Sequence, residues 1–245
     1  MGGHGIAEQP AERRGSQILS DGQPELAVAQ REHWQDTYRA HPEMYGSGRS
    51  EPAAYAAEVF KANGVERVLE LAAGHGRDAL YFAHQGFTVL ATDFSDIAVA
   101  QVRRTAQAQG VTARVQSTVH DLRKPLPVET GSIDAVFAHM ALCMALSTRE
   151  LHVILNEVSR VLKPGGKFIY TVRHTGDAHY GAGQAHGDDI FECGGFAVHF
   201  FSRELVESLA AGWILEDVHA FEEGELPRRL WRVNATKPVR ASPSA

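Results

Sequence analysis

The chain is 245 residues long, enough for one substantial hydrophobic core, and no linker-like stretch interrupts its middle. Its 24 Lys and Arg against 30 Asp and Glu leave a net charge of −6, which disfavours a nucleic-acid partner held by phosphate neutralisation and favours a small-molecule one. Cys143 and Cys193 are too few for a disulfide framework or a multi-cysteine zinc site, and no apolar run reaches the ~18 residues of a membrane span, so a soluble, cytoplasmic protein is expected.

Residues 1–25, rich in Gly, Gln, Glu and Arg, bury too little apolar surface to offset ordering entropy and are expected to form a mobile tail. Residues 28–44 turn helix-like, with Val28, Trp34 and Tyr38, and then Tyr45, as bulky residues among charges. This segment reads either as a lid over a ligand site or as an accessory helix on the sheet. Pro52 opens a second helix, 53–62, closed by Gly64. A mostly apolar strand, 65–71, carries Glu70 and runs into Gly74-His75-Gly76, after which a helix over 78–85 begins. A second strand, 87–92, ends at Asp93, and Ser95 caps a helix over 97–109. A third strand, 113–118, leads to His120-Asp121-Leu122, and a fourth, 133–138, ends at His139.

Ser147 with Glu150 three residues on is a capping-box pattern, and Leu151, Ile154, Leu155, Val158, Val161 and Leu162 follow at helical spacing. Pro164-Gly165-Gly166 ends that helix before a fifth strand, 167–172. A polar, glycine-rich insert over 173–199 is too long for a simple connection and reads as a substrate loop. A helix bearing Leu205, Val206 and Leu209 follows, then strands over 213–220 and 230–236 whose short connection makes them an antiparallel hairpin at one sheet edge. Residues 238–245 read as a frayed end. The alternation predicts one α/β domain over residues 26–237, a Rossmann-like three-layer sandwich with a mostly parallel seven-stranded sheet.

Gly74-His75-Gly76-Arg77-Asp78-Ala79 satisfies the glycine pattern of dinucleotide sites, with Asp93 near the offset of a ribose-binding acid. The turn alone does not separate a nicotinamide site from an S-adenosylmethionine site, since both need a strand, a tight turn and a ribose carboxylate. Glu70 separates them better: a carboxylate just ahead of the turn repels a pyrophosphate and welcomes an ammonium.

Glu70 to Gly76 resembles the first motif of class I S-adenosylmethionine-dependent methyltransferases, Ala91 to Ser95 their second, and Arg160 to Gly166 the lead into their fifth strand. Within that family, Gly76-Arg77-Asp78-Ala79-Leu80, Gly86-Phe87 and Asp93-Phe94-Ser95 are most similar to the small-molecule branch that includes tellurite-resistance and thiol methyltransferases. Ala72 departs from the pattern, because the family usually carries its first glycine there. The resemblance implies S-adenosylmethionine as cofactor and a role for each matching position. Glu70 would hold the methionyl ammonium, the backbone of Ala72, Gly74 and Gly76 would line methionine and ribose, and Asp93 with Phe94 would meet the ribose side. Asp121 would accept from the adenine amino group, Leu122 would pack on the ring, and Ala138 and His139 would flank the methionyl moiety.

Methyl transfer is an in-line displacement, so alignment supplies much of the rate, and a weakly acidic acceptor also needs a base. His139 and His174, at the carboxyl ends of the fourth and fifth strands, are the candidate bases, and Arg173 could orient an anionic acceptor. Tyr38 and Tyr45 are candidate roof residues, and His179 and His199 candidate substrate contacts from the insert. The insert also holds Asp177, His186, Asp188, Asp189, Glu192 and Cys193, all potential ligands, but without a recognisable ligand spacing no metal is expected. Two other readings stay open: an NAD(P)-dependent oxidoreductase, and a non-catalytic cofactor-binding protein that Ala72 keeps in view.

Overall fold

The computed structural model describes residues 24–44, 46, 48–224 and 228–239. In chain order these form α1 (Pro24–Ala40), α2 (Glu51–Ala62), β1 (Arg67–Leu71), α3 (Arg77–His84), β2 (Thr88–Asp93), α4 (Asp96–Ala108), β3 (Val115–Val119), β4 (Ile133–His139), α5 (Thr148–Val161) and β5 (Leu162–Arg173). Then come β6 (Gln184–Ala185), β7 (Ile190–Cys193), β8 (Phe196–His199), α6 (Arg203–Leu209), β9 (Ile214–Glu223) and β10 (Arg228–Thr236). The main sheet has seven strands in the order β3-β2-β1-β4-β5-β10-β9, parallel from β3 to β5 and antiparallel through β10 and β9. This is the expected three-layer arrangement with its antiparallel edge.

Alternation along the central strands explains the two layers of cover. On β1, Val68 packs with Ala53, Phe60, Phe82 and Val102 from α2, α3 and α4, whereas Leu69 and Leu71 pack with Leu151, Ile154, Val158 and Val206 from α5 and α6. On β4, Ala135 and Phe137 join the first group and Val136 and Ala138 the second. Phe60, Phe82 and Phe137 are wholly buried, and each such ring contributes roughly 1.5–3 kcal/mol. Glu70 shares the face of Val68, but it lies where β1 runs out from under the helices, so its carboxylate meets a cavity rather than a hydrocarbon layer. The helix starts follow the local chemistry: Ser50, Ser95, Ser147 and Ser202 each accept an N–H of the following turn, and Ser147 with Glu150 forms the full capping box.

Four expectations change. Pro24 and Glu25 belong to α1 rather than to a tail, and Leu26 is buried; residues 1–23 lie outside the described residues. β5 starts at Leu162, five residues early, so Pro164-Gly165-Gly166 sits in an irregular strand opening instead of a plain turn. β9 ends three residues further on, at Glu223. The insert is not an irregular loop: β6, β7 and β8 form a small antiparallel sheet, with Gly194 and Gly195, both at positive φ, making the two-residue turn that pairs Cys193 with Phe196. Of the frayed end expected over 238–245, Pro238 and Val239 have no regular structure and the rest lies outside the described residues.

Candidate active site

A cavity of about 120 Å³ opens over the carboxyl ends of β1, β2 and β4, where strand order reverses and open α/β sheets bind ligands. The chain reaches it through two unusual turns. After β1, Ala72 takes φ 50°, Gly74 φ 53° and Gly76 φ 80°; after β4, Met140 takes φ 52°. Ala72 and Met140 are non-glycine residues in left-handed backbone on neighbouring strand ends, a conformation costing of order 1–3 kcal/mol each. Gly76 is required on two counts, because a Cβ there would also come within 2.7 Å of Val102.

Three acids converge at this turn. Glu70 is 3% exposed and its Oε2 has no hydrogen-bond partner among the described residues. Burial, then the nearby Asp78 and Asp93, hold its carboxyl well above the ordinary value against the pull of Arg77. Asp93 accepts from the Gly74 N–H at 2.9 Å and the Ser95 N–H at 2.8 Å; burial pushes its carboxyl up to about 6 although both donors oppose the shift. Asp78 instead accepts from the backbone N–H and hydroxyl of Ser50 at 2.7 and 2.8 Å, tying α3 to the start of α2.

Opposite the acids, β3 delivers His120, Asp121 and Leu122. The His120 N–H donates to the Asp93 carbonyl at 2.8 Å, and burial lowers the His120 pKa. Asp121 accepts from Arg31 of α1 and from the Arg123 N–H at 3.1 Å. Arg123 is itself held by Glu150 at 2.7 Å and the Ala145 carbonyl at 2.9 Å. At the end of β4, His139 Nδ1 lies 2.8 Å from Thr171 Oγ1, which also accepts from the Met140 N–H at 2.9 Å. His139 Nε2 lies 3.3 Å from Glu223 at the end of β9.

The roof is α1. Trp34 and Tyr38 line the cavity, and Tyr38 meets the His75 ring edge to face at 4.9 Å. Polar contacts pin the helix on three sides. Gln30 bridges Gly195 and Ala197 of the insert at 2.8 and 3.0 Å, Arg31 holds Asp121, and Gln35 reaches Ser95 and Asp96 at 2.5 and 2.8 Å. The segment therefore covers the ligand site and, through Gln30, joins the insert to it.

Of the residues singled out from sequence, Glu70, Ala72, Gly74, Asp93, Phe94, Asp121, Leu122, His139 and Tyr38 line this one cavity. Gly76 and Ala138 stand behind the wall, the first against Val102 and the second in the core. The remaining candidates lie elsewhere. Arg173 is clamped to Asp177 at 2.9 and 2.5 Å and covers the Phe200 ring, so its charge is neutralised inside the fold rather than offered to an acceptor. His174 stacks on Trp231 at 4.7 Å and accepts from Gly176. His179 pairs with Asp177, and His199 is buried against the Leu146 carbonyl at 2.7 Å. Tyr45 lies outside the described residues.

Sequence reasoning missed Trp34, His75, Asp78, His120, Arg123, Met140 and Met144 as lining residues. His75 and Asp78 flank the glycines and His120 precedes Asp121, so adjacency to a motif was the available signal. Nothing local marks Arg123 or Met144, which arrive by tertiary packing. Among the described residues no group of three or more His, Cys, Asp or Glu side chains could hold a metal ion, and no helix is long and apolar enough to cross a membrane.

Comparison with known proteins agrees with this geometry. Residues 68–166, from β1 to the opening of β5, match the family model described as a methyltransferase domain. The chain is 31% identical over 109 residues to an uncharacterized methyltransferase, sll0829, of Synechocystis sp., covering 44% of this chain and 48% of that protein. It is 31% identical over 106 residues to a sarcosine/dimethylglycine N-methyltransferase of Aphanothece halophytica, covering 43% and 37%. The matched region thus spans under half the length of these curated relatives. Over the whole fold, the 1,6-didemethyltoxoflavin-N1-methyltransferase of Burkholderia thailandensis, solved with its substrate and S-adenosylhomocysteine, superposes with a TM-score of 0.70 at 17% identity, covering 95% of this chain and 94% of that one. The glycine turn, the buried acids around it and the antiparallel sheet edge all fall inside one shared architecture: residues 68–166 match a methyltransferase domain, and the chain has the fold of S-adenosylmethionine-dependent methyltransferases.

Proposed function

We propose that this protein transfers a methyl group from S-adenosylmethionine to a small-molecule acceptor. The observation that carries the reading is Glu70, a buried carboxylate with an oxygen unpartnered among the described residues, facing a cavity beside a glycine turn. A hydrogen-bonding cation such as a methionyl ammonium relieves both its desolvation and its repulsion from Asp78 and Asp93. A dinucleotide pyrophosphate would add to that repulsion, which argues against the nicotinamide alternative.

The other residues fit the same group. Each Asp93 oxygen takes one backbone N–H and keeps a lone pair for a ribose hydroxyl. Phe94 and Leu122 offer apolar faces to an adenine ring, and Asp121, steadied by Arg31 and Arg123, offers a carboxylate to its amino group. When bound, the cofactor supplies an electrophilic methyl carbon on a sulfonium. The protein's part is to align the acceptor, exclude water under Trp34 and Tyr38, and take a proton at His139. The roof over the cavity supports a small acceptor rather than a polymer, and a cytoplasmic one suits the two free cysteines. The narrower kinship with the tellurite-resistance and thiol branch rests on residues 76–80, 86–87 and 93–95, among which Asp78 has the structural task of holding Ser50.

The test is a thermal-shift and calorimetric comparison of S-adenosylhomocysteine with NAD, since a native-state ligand raises apparent stability by mass action. S-adenosylhomocysteine should stabilise the wild type and NAD should not. Glu70→Gln should weaken S-adenosylhomocysteine binding at least tenfold, the loss of about 1.5–3 kcal/mol expected for one hydrogen bond to a charged group. Stabilisation by NAD alone would remove the reading.

A further inference from the structure

His139 projects into the cavity from β4, and both of its ring nitrogens meet groups from other strands. Nδ1 lies 2.8 Å from Thr171 Oγ1 on β5. Nε2 is buried and lies 3.3 Å from Glu223 Oε2, the last residue of the edge strand β9, without an in-line hydrogen bond to it. Other charged groups close to this pair are Arg77 at the start of α3, 3.9 Å from Glu223, Arg228, its cross-strand partner on β10, and Glu70 on β1, whose strand neighbour Phe137 stacks on the His139 ring. Burial works to raise the Glu223 carboxyl, but His139, Arg77 and Arg228 together hold it below its ordinary value, so it stays ionised at neutral pH.

We propose that Glu223 is a positioning residue for methyl transfer, aligning His139 as the base and neutralising the imidazolium that forms when an acceptor X–H gives up its proton. The inference rests on the methyl-transfer reading above. With the Nδ1 proton donated to Thr171, Nε2 is the ring nitrogen left to take a proton. As the acceptor's lone pair takes the methyl carbon and the carbon–sulfur pair returns to sulfur, the X–H proton passes to Nε2. The resulting cation then has a neighbour at each nitrogen: the Thr171 hydroxyl accepts from Nδ1–H, and the Glu223 carboxylate lies 3.3 Å from Nε2 and balances the charge. A carboxylate 3.3 Å from the ring nitrogen favours the imidazolium as it forms by Coulomb attraction in a buried site. The arrangement suits acceptors that lose a proton on methylation, such as thiols, hydroxyls or neutral N–H amines, over those that do not.

The experiment needs no acceptor. The His139 ring resonance, assigned by its loss in His139→Asn, is titrated by NMR in the full-length wild type, in Glu223→Gln and in Glu223→Asp, with S-adenosylhomocysteine binding measured on the same samples. Glu223→Gln should lower the proton affinity of His139 at least tenfold, Glu223→Asp should restore part of it, and both should bind S-adenosylhomocysteine as the wild type does. An unchanged His139 titration in a Glu223→Gln protein that binds S-adenosylhomocysteine normally would overturn the proposal. If Glu223→Gln fails to fold, Glu223→Asp decides: the longer reach to Nε2 should still lower the midpoint, and an unshifted midpoint would count against the pair. Loss of S-adenosylhomocysteine binding by the wild type itself would instead strike the cofactor reading, whatever the titration shows.

Discussion

Asp93 gives the sharpest handle on this site, because its burial sets a signed dependence of stability on pH. Its carboxyl rises from 3.8 to about 6 on folding, with desolvation outweighing the two backbone donors. A group raised in the folded state contributes stability that is fully present below its unfolded pKa and is lost as pH rises through its folded one. Between pH 5 and pH 7.5 that loss comes to about 1.4 kcal/mol for Asp93 alone. Asp93→Asn abolishes the titration. It also leaves one of the Gly74 and Ser95 N–H groups facing an amide nitrogen, which lowers stability by about 1–3 kcal/mol at every pH. The expected result in urea denaturation is therefore a variant of lower stability whose decline from pH 5 to pH 7.5 is shallower than that of the wild type by about 1.4 kcal/mol. Glu70, raised in the same direction, keeps part of the slope in both proteins. Parallel pH profiles for the two proteins would refute the assignment of Asp93 as a desolvated carboxylate.

Arg173→Ala should destabilise the fold by about 3–5 kcal/mol, because it leaves the wholly buried Asp177 carboxylate without its guanidinium partner and with only the His179 and Arg229 N–H groups and the His179 ring, and urea midpoints at neutral pH would register it. His174→Ala, in contrast, should leave S-adenosylhomocysteine affinity unchanged in calorimetry, since the ring stacks on Trp231 away from the cavity wall. Ser147→Ala removes the acceptor side of the capping box and should lower stability by about 1 kcal/mol without altering ligand affinity.

The fold was legible wherever hydrophobic period and helix starts agreed. β1, β2 and β4 showed apolar runs ending in an acid or a histidine, and α5 announced itself by Ser147, Glu150 and an apolar stripe. The insert was misread because its strands are only two to four residues long and lie among polar and glycine residues; Gly194-Gly195 between Cys193 and Phe196 was the overlooked hairpin signal. The extent of β9 was underread because its residues are mostly exposed, so no burial pattern marks where the strand stops. Arg173 and His174 looked like site residues from their position at a strand end. Their side chains answer to Asp177 and Trp231, partners that no local pattern names.

The half of the site proposed to hold the cofactor was readable because it is contiguous in sequence: Glu70 to Gly76 and Asp93 to Ser95 each carry several cavity-lining or hydrogen-bonding residues on one turn. The half proposed to meet the acceptor is assembled from α1, β4, β5 and the far edge of the sheet, and its geometry depends on register. Glu223 reaches His139 only because β9 continues through its pairing with Arg228; a hairpin that stopped at Ala220 would leave His139 with Thr171 alone. The two halves also share an energetic logic. Ala72 and Met140 hold left-handed backbone, and Glu70 and Asp93 hold desolvated carboxyls, all at the ends of three adjacent strands. Each lowers the stability of the empty protein, and a cation bound at Glu70 relieves the electrostatic part of that cost. Removing the buried charge at Glu70 should accordingly raise the stability of the free protein while lowering its affinity for ligand, two opposed changes that a merely structural acid would not produce.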